Sequence, residues 1–273
     1  MPKLMRQIVL NALSEDIGTG DISSSLLDDE QVGAKIISRQ KAVISGIDCA
    51  ALCFSELDPN ITINWQIEEG GVCEPGQTLC SLRGSSRAII SGERTALNFL
   101  QTLSATATQT KQLSELIAHT KTQLLDTRKT LPNLRHAQKL AVKSGGGVNH
   151  RMGLHDCVML KENHIAAIGS LKGAINRALE SFPDKPLIVE VETLEQLDEA
   201  LDIGGMTRIL CDNFDPSVLA VAVDRANGRC PIEASGNIDE TNIRQYAETG
   251  VDYISIGAIT KHINAVDLSL QFD

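Results

Sequence analysis

Four basic side chains lie at or between the ends of short apolar runs from residue 123 onward. Arg128 and Lys129 come just after the run QLLD, Lys161 ends CVMLK, and Arg151 lies in the segment between these runs. Guanidinium and ammonium groups that converge on one point bind carboxylates and phosphates, arginine in bidentate fashion and lysine as a point charge. Surface ion pairs with nearby Asp and Glu are the alternative. The first interpretation predicts a site for a small polyanion.

Two carboxylates end the next apolar runs, Glu190 in LIVEVE and Asp212 in RILCDN. Carboxylates beside basic groups suit Mg2+, which prefers oxygen ligands and substrate phosphates, or hydrogen bonds to sugar hydroxyls. Glu192 shares the run of Glu190 with period two, so the pattern alone does not decide between these two glutamates.

Glycine-containing loops follow the last two apolar runs. Such loops after the late strands of an α/β barrel cradle phosphate through backbone amides, although a turn without a ligand is the alternative. The loop residues are Ser235, Gly236 and Asn237 in ASGN, and Ile256, Gly257 and Ala258 in SIGA. The run 145–147, GGG, either approaches an anion or simply ends a helix.

The histidines and cysteines predict neither a metal site nor a nucleophile. The spacing of His150, His155 and His164 fits no standard zinc pair. Cys157 and Cys211 lie inside apolar runs and are expected to be inert core thiols. Seven cysteines without a CxxC pair indicate a reduced, cytoplasmic protein, and the start of the chain lacks the features of a signal peptide.

Charge is distributed unevenly along the chain. The net charge is −10, yet residues 126–161 carry +5 and the remainder −15. Arg135, Lys139 and Lys143 recur every four residues and predict a solvated helix face. The acidic balance, with only one Trp, two Tyr and five Phe, argues against nucleic acid as a partner. No apolar stretch is long enough to span a membrane.

Six apolar runs that alternate with helical patterns must position these groups. Glu190, Asp212, Ser235 and Gly257 each end or directly follow a run and are 22, 23 and 22 residues apart, about one strand-helix unit. This repetition favours a parallel sheet covered by helices, with reactive groups at the strand ends. The length from 124 to 258 predicts an incomplete TIM-like barrel of six to seven strands.

The first part of the chain has a different pattern. A helical stripe over 3–15, the strand-like runs AKIIS, KAVIS, ITINWQI and TLCSL, and a long helical stretch from about Ala88 to Ile117 indicate a small α+β domain. The fold class is therefore α/β. We expect an N-terminal α+β sandwich domain over 1–112, with the tail 263–273 packed on it, and an α/β-barrel domain over 113–262.

Several segments, in order and spacing, resemble the quinolinate phosphoribosyltransferase family. They are SGERTALNFLQTLS, LLDTRKTLPNLRHAQKLAVKSGGGVNHRMGLHD, LKENHI, IVEVET, DNF, EASGNI and GVDYISIGAITKHINAVDLSL. The resemblance implies the reaction of quinolinate with phosphoribosyl pyrophosphate to nicotinate mononucleotide, pyrophosphate and CO2, with Mg2+. It also implies a homodimer whose sites are completed by the neighbouring N-terminal domain.

The resemblance also implies roles for individual residues. Arg94 resembles the arginine that reaches the neighbouring subunit's quinolinate, and Arg128, His150 and Arg151 match the other quinolinate-binding positions, beside Thr127. Lys129 and Lys161 match lysines that face phosphoribosyl pyrophosphate. Glu190 and Asp212 match acidic positions that bind ribose and magnesium. Their contact with the metal is either direct or through substrate or water. Together with Lys129 and Lys161 they form the expected catalytic set. The two glycine-containing loops and Lys261 match phosphate-binding positions.

The sequence departs from the family pattern at two positions and bears a partial resemblance to two other classes of protein. Asn237 stands where many members have a second Gly, and Lys261 precedes His262 where some have His directly after Thr, which leaves open which of the two meets phosphate. EEGGVCEPGQTL resembles a carrier-domain turn, but no acceptor lysine follows in a second hairpin. A relative of the same fold associated with molybdenum transport is disfavoured by the arginines at 94, 128 and 151.

Overall fold

The structure, a computed structural model, describes residues 2 to 273, which form two compact units. The first comprises the chain up to Lys111 together with 131–146 and 260–273, and the second comprises 112–130 and 147–259. The segment 131–146 thus belongs to the first unit, whereas the sequence placed it in the barrel domain. None of the described helices is long and apolar enough to cross a lipid bilayer.

The chain contains helices and strands throughout both units. The helices are α1 Pro2–Ile17, α2 Ile47–Leu57, α3 Ser86–Leu116, α4 Arg135–Ser144, α5 Glu162–Ile168, α6 Leu171–Ser181, α7 Leu194–Ile203, α8 Pro216–Ala226, α9 Ile243–Glu248 and α10 Ala258–Lys261, with a 3-10 turn at Ser24–Leu26. The strands are β1 Gln31–Ser38, β2 Ala42–Val43, β3 Thr62–Trp65, β4 Val72–Cys73, β5 Thr78–Ser85, β6 Gln123–Leu125, β7 Val158–Leu160, β8 Leu187–Val191, β9 Arg208–Asp212, β10 Ile232–Ser235, β11 Tyr253–Ser255 and β12 Leu268–Phe272.

The first unit is built on an antiparallel sheet in the order β12-β1-β5-β3, beside the short pair β2-β4. Its core includes Ile36 and Leu79 from the sheet and Phe54, Leu97 and Leu100 from helices α2 and α3. The pairing of β12 with β1 places the C-terminal tail on this sheet. Helix α2 and strand β4 were not predicted from the sequence.

The second unit contains six parallel strands in the order β6-β11-β10-β9-β8-β7. Each matches one of the six predicted runs, and β6 and β7 form the two edges of the sheet, so the incomplete barrel is confirmed. Every residue of β8 is buried, as expected for a strand in the middle of a barrel-like parallel sheet, with helices outside and packed side chains inside. Thr193 and Ser170 start α7 and α6 by accepting hydrogen bonds from the first-turn amides of Gln196 and Gly173.

One prediction about the basic residues of helix α4 is wrong. Lys139 is fully buried, although its four-residue spacing with Arg135 and Lys143 predicted a solvated face. Gly145 lies against the backbone of Ala107 in α3, and a side chain there would clash with the Ala107 carbonyl. The run of glycines therefore ends α4 and allows close packing within the first unit.

Candidate active site

A cavity of about 170 Å3 lies in the second unit, where several strands of the parallel sheet end. Four cations line it: Arg128, Lys129, Arg151 and Lys161. The cavity brings together eight of the residues expected from the sequence, namely Thr127, Arg128, Lys129, His150, Arg151, Lys161, Glu190 and Ser235. Such a concentration of cations, in a chain of net charge −10, is suited to binding an anion.

Asp126 positions the two arginine-bearing segments. It is fully buried at the end of β6, where its carboxylate accepts hydrogen bonds from the backbone amide of His150, at 2.8 Å, and from Asn149 Nδ2, at 2.6 Å. Next to it, Thr127 Oγ1 accepts a bond from the Lys129 amide at 3.0 Å. A buried carboxylate held this way fixes the segment of Arg151 beside the loop that carries Arg128.

Lys161 and Glu190 form an ion pair across the ends of β7 and β8. Burial raises the pKa of Glu190, the contact with Lys161 opposes this increase, and nearby Asp212 adds to it. Glu192, by contrast, lies beyond the end of β8 and is exposed. The structure therefore places Glu190, and not Glu192, on the cavity.

Glu190 and Asp212 form the candidate metal-binding set. They end neighbouring strands, and Asp212 Oδ2 accepts a hydrogen bond from Asn213 Nδ2 at 2.8 Å. Among residues 2 to 273, no group of three or more His, Cys, Asp or Glu could hold a metal by itself. Two carboxylates nevertheless fit Mg2+, because this ion keeps several waters and takes substrate phosphates as its other ligands.

The loop after β10 contains two residues in the left-handed conformation, and the loop after β11 contains a glycine packed against Lys129. Gly236 has φ 99° and Asn237 has φ 51°, and Asn237 Nδ2 donates to Asn213 Oδ1 at 3.3 Å. Asn237 thus adopts the left-handed conformation that glycine favours, which explains how Asn is accommodated there. At Gly257, a Cβ atom would lie 2.7 Å from Lys129 Cδ, so the absence of a side chain leaves room for Lys129.

The other expected residues lie outside the lining of this cavity. Asp212, Gly236, Asn237, Ile256, Gly257 and Ala258 belong to the same unit and follow or end its strands. Arg94 on α3 and Lys261 at the end of α10 are exposed residues of the first unit, as is His262. Their roles remain predictions.

Two charged residues were missed from the sequence. Glu233 in β10 is completely buried and lines the cavity, and Arg208 at the start of β9 has its Nε 3.0 Å from Glu233 Oε2. The available signal was an acidic residue in the middle of the apolar run IEAS, since charges are rarely fully buried without a partner.

The cysteines are free, buried thiols, as predicted. Burial raises the pKa of Cys211 to about 12 and also raises the pKa of Cys157. Both remain protonated near neutral pH, so neither is a nucleophile.

The first unit has a larger depression, of about 420 Å3, lined by α1, α3 and residues 132–134. Its charged lining residues are Glu15 and Asp16, and it contains no Lys or Arg. An acidic depression repels polyanions, so the cavity of the second unit is the better candidate for anion binding.

Comparisons with known proteins identify the family of this chain. The model of the quinolinate phosphoribosyl transferase N-terminal domain matches residues 21–104, and that of the C-terminal domain matches 106–271. A nicotinate-nucleotide pyrophosphorylase [carboxylating] of Mycobacterium leprae is 38% identical over 97% of this chain and 96% of its own. A mitochondrial quinolinate phosphoribosyltransferase [decarboxylating] 2b of Nicotiana tabacum is 37% identical, covering 98% and 82%.

A solved structure is similar along the whole chain. The nicotinate-nucleotide pyrophosphorylase from Francisella tularensis superposes with a TM-score of 0.98 at 43% identity, covering 100% of this chain and 97% of the other. With both domain models matched and relatives 37% and 38% identical over 98% and 97% of this chain, this chain belongs to the quinolinate phosphoribosyltransferase family.

Proposed function

We propose that this protein transfers the phosphoribosyl group of phosphoribosyl pyrophosphate to quinolinate with decarboxylation. The products are nicotinate mononucleotide, pyrophosphate and CO2, as in de novo NAD biosynthesis. The observation that carries the proposal is the cavity lined by Arg128, Arg151, Lys129 and Lys161 in a chain of this family. A dicarboxylate and a co-substrate with several phosphates together require such a concentration of positive charge.

The first step is displacement at the ribose. The pyridine nitrogen of quinolinate forms a bond to C1 of the ribose while the bond from C1 to the pyrophosphate oxygen breaks, and pyrophosphate leaves with the electron pair. Positive charge develops on the ribose ring, so positioning and electrostatic stabilisation supply most of the catalysis. Glu190 provides negative charge at the strand ends, and Lys129 and Lys161 provide positive charge for the pyrophosphate.

The second step is decarboxylation. Once the ring nitrogen is alkylated, the pyridinium ring accepts the electron pair released as the carboxylate at C2 leaves as CO2, and a proton then adds at C2. The remaining carboxylate must be held and water excluded. Arg128 and Arg151 are the proposed holders, because arginine binds carboxylates through two parallel hydrogen bonds.

We also propose Mg2+ as the metal that accompanies phosphoribosyl pyrophosphate. When bound, it would neutralise charge on the leaving pyrophosphate. Glu190 and Asp212 would hold it, directly or through water, and their position on neighbouring strands supports this assignment.

A homodimer is proposed, in which Arg94 of one subunit serves the other subunit's site. The exposure of Arg94 on α3 and the resemblance of GERT to the family motif support this arrangement. The reduced state of all seven cysteines supports a reducing compartment, and the cytoplasm is the proposed location.

Decarboxylating turnover of quinolinate by the purified protein tests the proposed function. Arg128→Ala should lose about 2 to 5 kcal/mol of transition-state stabilisation, the usual range for removing one member of a buried charge pair. Arg229→Ala removes an arginine from a surface pair with Asp202 in the same unit and is the matched control.

A further inference from the structure

The carboxylate side chain of Glu233 is fully buried and lines the cavity that is proposed to bind anions. Its Oε2 lies 3.0 Å from Arg208 Nε and 3.4 Å from His150 Nε2. Burying a carboxylate costs several kcal/mol unless cations and donors compensate for it. The substrates proposed above are themselves anions, so a buried negative charge at this place requires a specific role.

Arg208 contacts both the Glu233 carboxylate and the ring of Tyr253. Strand β10 lies between β9, which carries Arg208, and β11, which carries Tyr253. The Arg208 guanidinium lies over the Tyr253 ring at 4.5 Å from its centre, a cation-π contact. Burial raises the pKa of Glu233, but His150, Arg208 and Ser255 together lower it further than burial raises it, so Glu233 stays ionised.

The imidazole ring of His150 lies between the backbone amide of Arg151 and the carboxylate of Glu233. Its Nδ1 accepts a hydrogen bond from the backbone amide of Arg151 at 2.6 Å. Because an amide N–H can only donate, Nδ1 carries no proton, and the proton of the neutral ring lies on Nε2. That nitrogen lies 3.4 Å from Glu233 Oε2, and the negative charge of the carboxylate favours a proton on Nε2.

The segment that follows His150 carries a predicted substrate arginine. Asp126 accepts a bond from the His150 amide, and Asp156 accepts bonds from the amides of Met152 at 2.6 Å and Gly153 at 3.0 Å. The amide of Arg151, between them, has His150 Nδ1 as its acceptor. The imidazole ring thus completes the support of the backbone from which the Arg151 guanidinium extends.

We infer that Glu233 and Arg208 are positioning residues: Arg208 holds the Glu233 carboxylate, Glu233 holds His150 in its Nε2–H tautomer, and His150 fixes the backbone of Arg151. His150 then acts on substrate through Arg151 rather than by donating a proton from a ring nitrogen. The inference deepens the proposed function and rests on it for the identity of the substrate that Arg151 binds.

Kinetics of Arg208 variants test the positioning role. Arg208→Met should raise KM for quinolinate about 10- to 100-fold, the range for residues that orient a ligand-binding group, with little change in KM for phosphoribosyl pyrophosphate. Arg208→Lys keeps the charge and should recover much of the loss. Arg225→Met, which removes an arginine from a surface pair with Asp198, is the matched control and should behave as the parent. An equal rise of both KM values, or no recovery with Lys, would overturn the inference.

The tautomer can be measured without turnover. Nitrogen-15 NMR of the ligand-free protein near neutral pH should show one protonated nitrogen, Nε2, and a non-protonated Nδ1 for His150, assigned by the loss of its signals in His150→Gln. Glu233→Gln should weaken this preference, because the carboxylate that faces Nε2 is lost while the Arg151 amide still donates to Nδ1. A ring protonated at Nδ1 in the parent contradicts the inference even if quinolinate is turned over. Conversely, if the protein has the expected tautomer but does not convert quinolinate, the proposed function is refuted and the positioning of His150 is not.

If Glu233→Gln does not fold, a pair of His150 variants tests the inference without changing Glu233. The amide oxygen of Asn can occupy the place of Nδ1, whereas Gln reaches the place of Nε2. The inference expects His150→Asn to retain more quinolinate turnover than His150→Gln, because the acceptor for the Arg151 amide is kept. The reverse order would show that Nε2 contacts substrate itself and would overturn the inference.

Discussion

The ammonium group of Lys161 contacts the carboxylate of Glu190 across the ends of two neighbouring strands, β7 and β8. Glu190 is buried, with 7% of its surface exposed, whereas the Lys161 side chain is 40% exposed. A cation and an anion thus meet where the phosphoribosyl group is proposed to react. The pair keeps both charges available in a partly buried site, where each alone would be costly.

Breaking this pair should impair turnover more than folding. Glu190→Gln should lower kcat/KM about 10²- to 10³-fold, corresponding to about 2.7 to 4 kcal/mol for one preorganised electrostatic group. Lys161→Met should cause a loss of similar size. Steady-state kinetics of both variants and of the double variant provide the measurement.

The double variant should lose less than the two single variants combined, because the side chains interact directly. Arg225 and Asp198 form an exposed ion pair in the same unit and serve as the control. Their single and double variants should have near-parental turnover. Strictly additive losses for the Lys161 and Glu190 variants would show that the two residues act independently.

Arg94 should act on the neighbouring subunit's site. Arg94→Ala and Arg128→Ala homodimers should each be nearly inactive, while dimers reassembled from a mixture of the two should regain activity, because one of the two sites then contains both arginines. Recovery approaching one quarter of parental turnover is expected, since about half of the dimers are mixed and each has one intact site. Turnover before and after mixing is the measurement, and no recovery in verified mixed dimers would contradict the shared site.

Removing divalent cations should abolish turnover. Chelation should stop the reaction, and added Mg2+ should restore it. Asp212→Asn should raise the Mg2+ concentration needed for half-maximal rate about tenfold or more, because one of two candidate carboxylates is lost. Asp252→Asn removes a carboxylate of the same unit that binds Lys121 and should leave the Mg2+ dependence unchanged. Full activity in chelator would exclude the proposed metal.

Glu233 should make stability depend on pH in the acidic range. Its pKa in the folded protein is lower than the ordinary value of 4.5, so the unfolded chain takes up the proton first. The stabilisation from ionised Glu233 is therefore fully present above about pH 4.5 and is lost as the pH falls through the lower folded-state pKa. Urea unfolding of the parent and Glu233→Gln should differ most near neutral pH and converge in acid. The exposed Glu240→Gln is the control, and a gap that widens in acid would contradict this sign.

The strands and the cavity could be predicted from sequence because parallel strands leave a simple pattern. Each buried strand is a short apolar run, and the residues after it lie at the same end of the sheet. Lys129, Lys161 and Glu190 were found this way. Resemblance, and not the pattern, favoured Glu190 over Glu192, which the structure shows beyond the strand and exposed.

The remaining features depend on contacts that no local pattern encodes. The pattern of the run IEAS predicts a strand but no role for Glu233, because its partners Arg208 and His150 come from other segments. Lys139 has the spacing of a surface helix residue, yet helix α4 packs so that it is buried. Burial of a charge is decided by tertiary packing, which spacing alone does not reveal.

The central claim is tested most directly by incubating the purified protein with phosphoribosyl pyrophosphate, Mg2+ and quinolinate labelled in the C2 carboxylate. We expect labelled CO2 and nicotinate mononucleotide in equal amounts, with nicotinate a far poorer substrate because it lacks the second carboxylate. Release of CO2 at the background rate, or equal activity on nicotinate, would contradict the account.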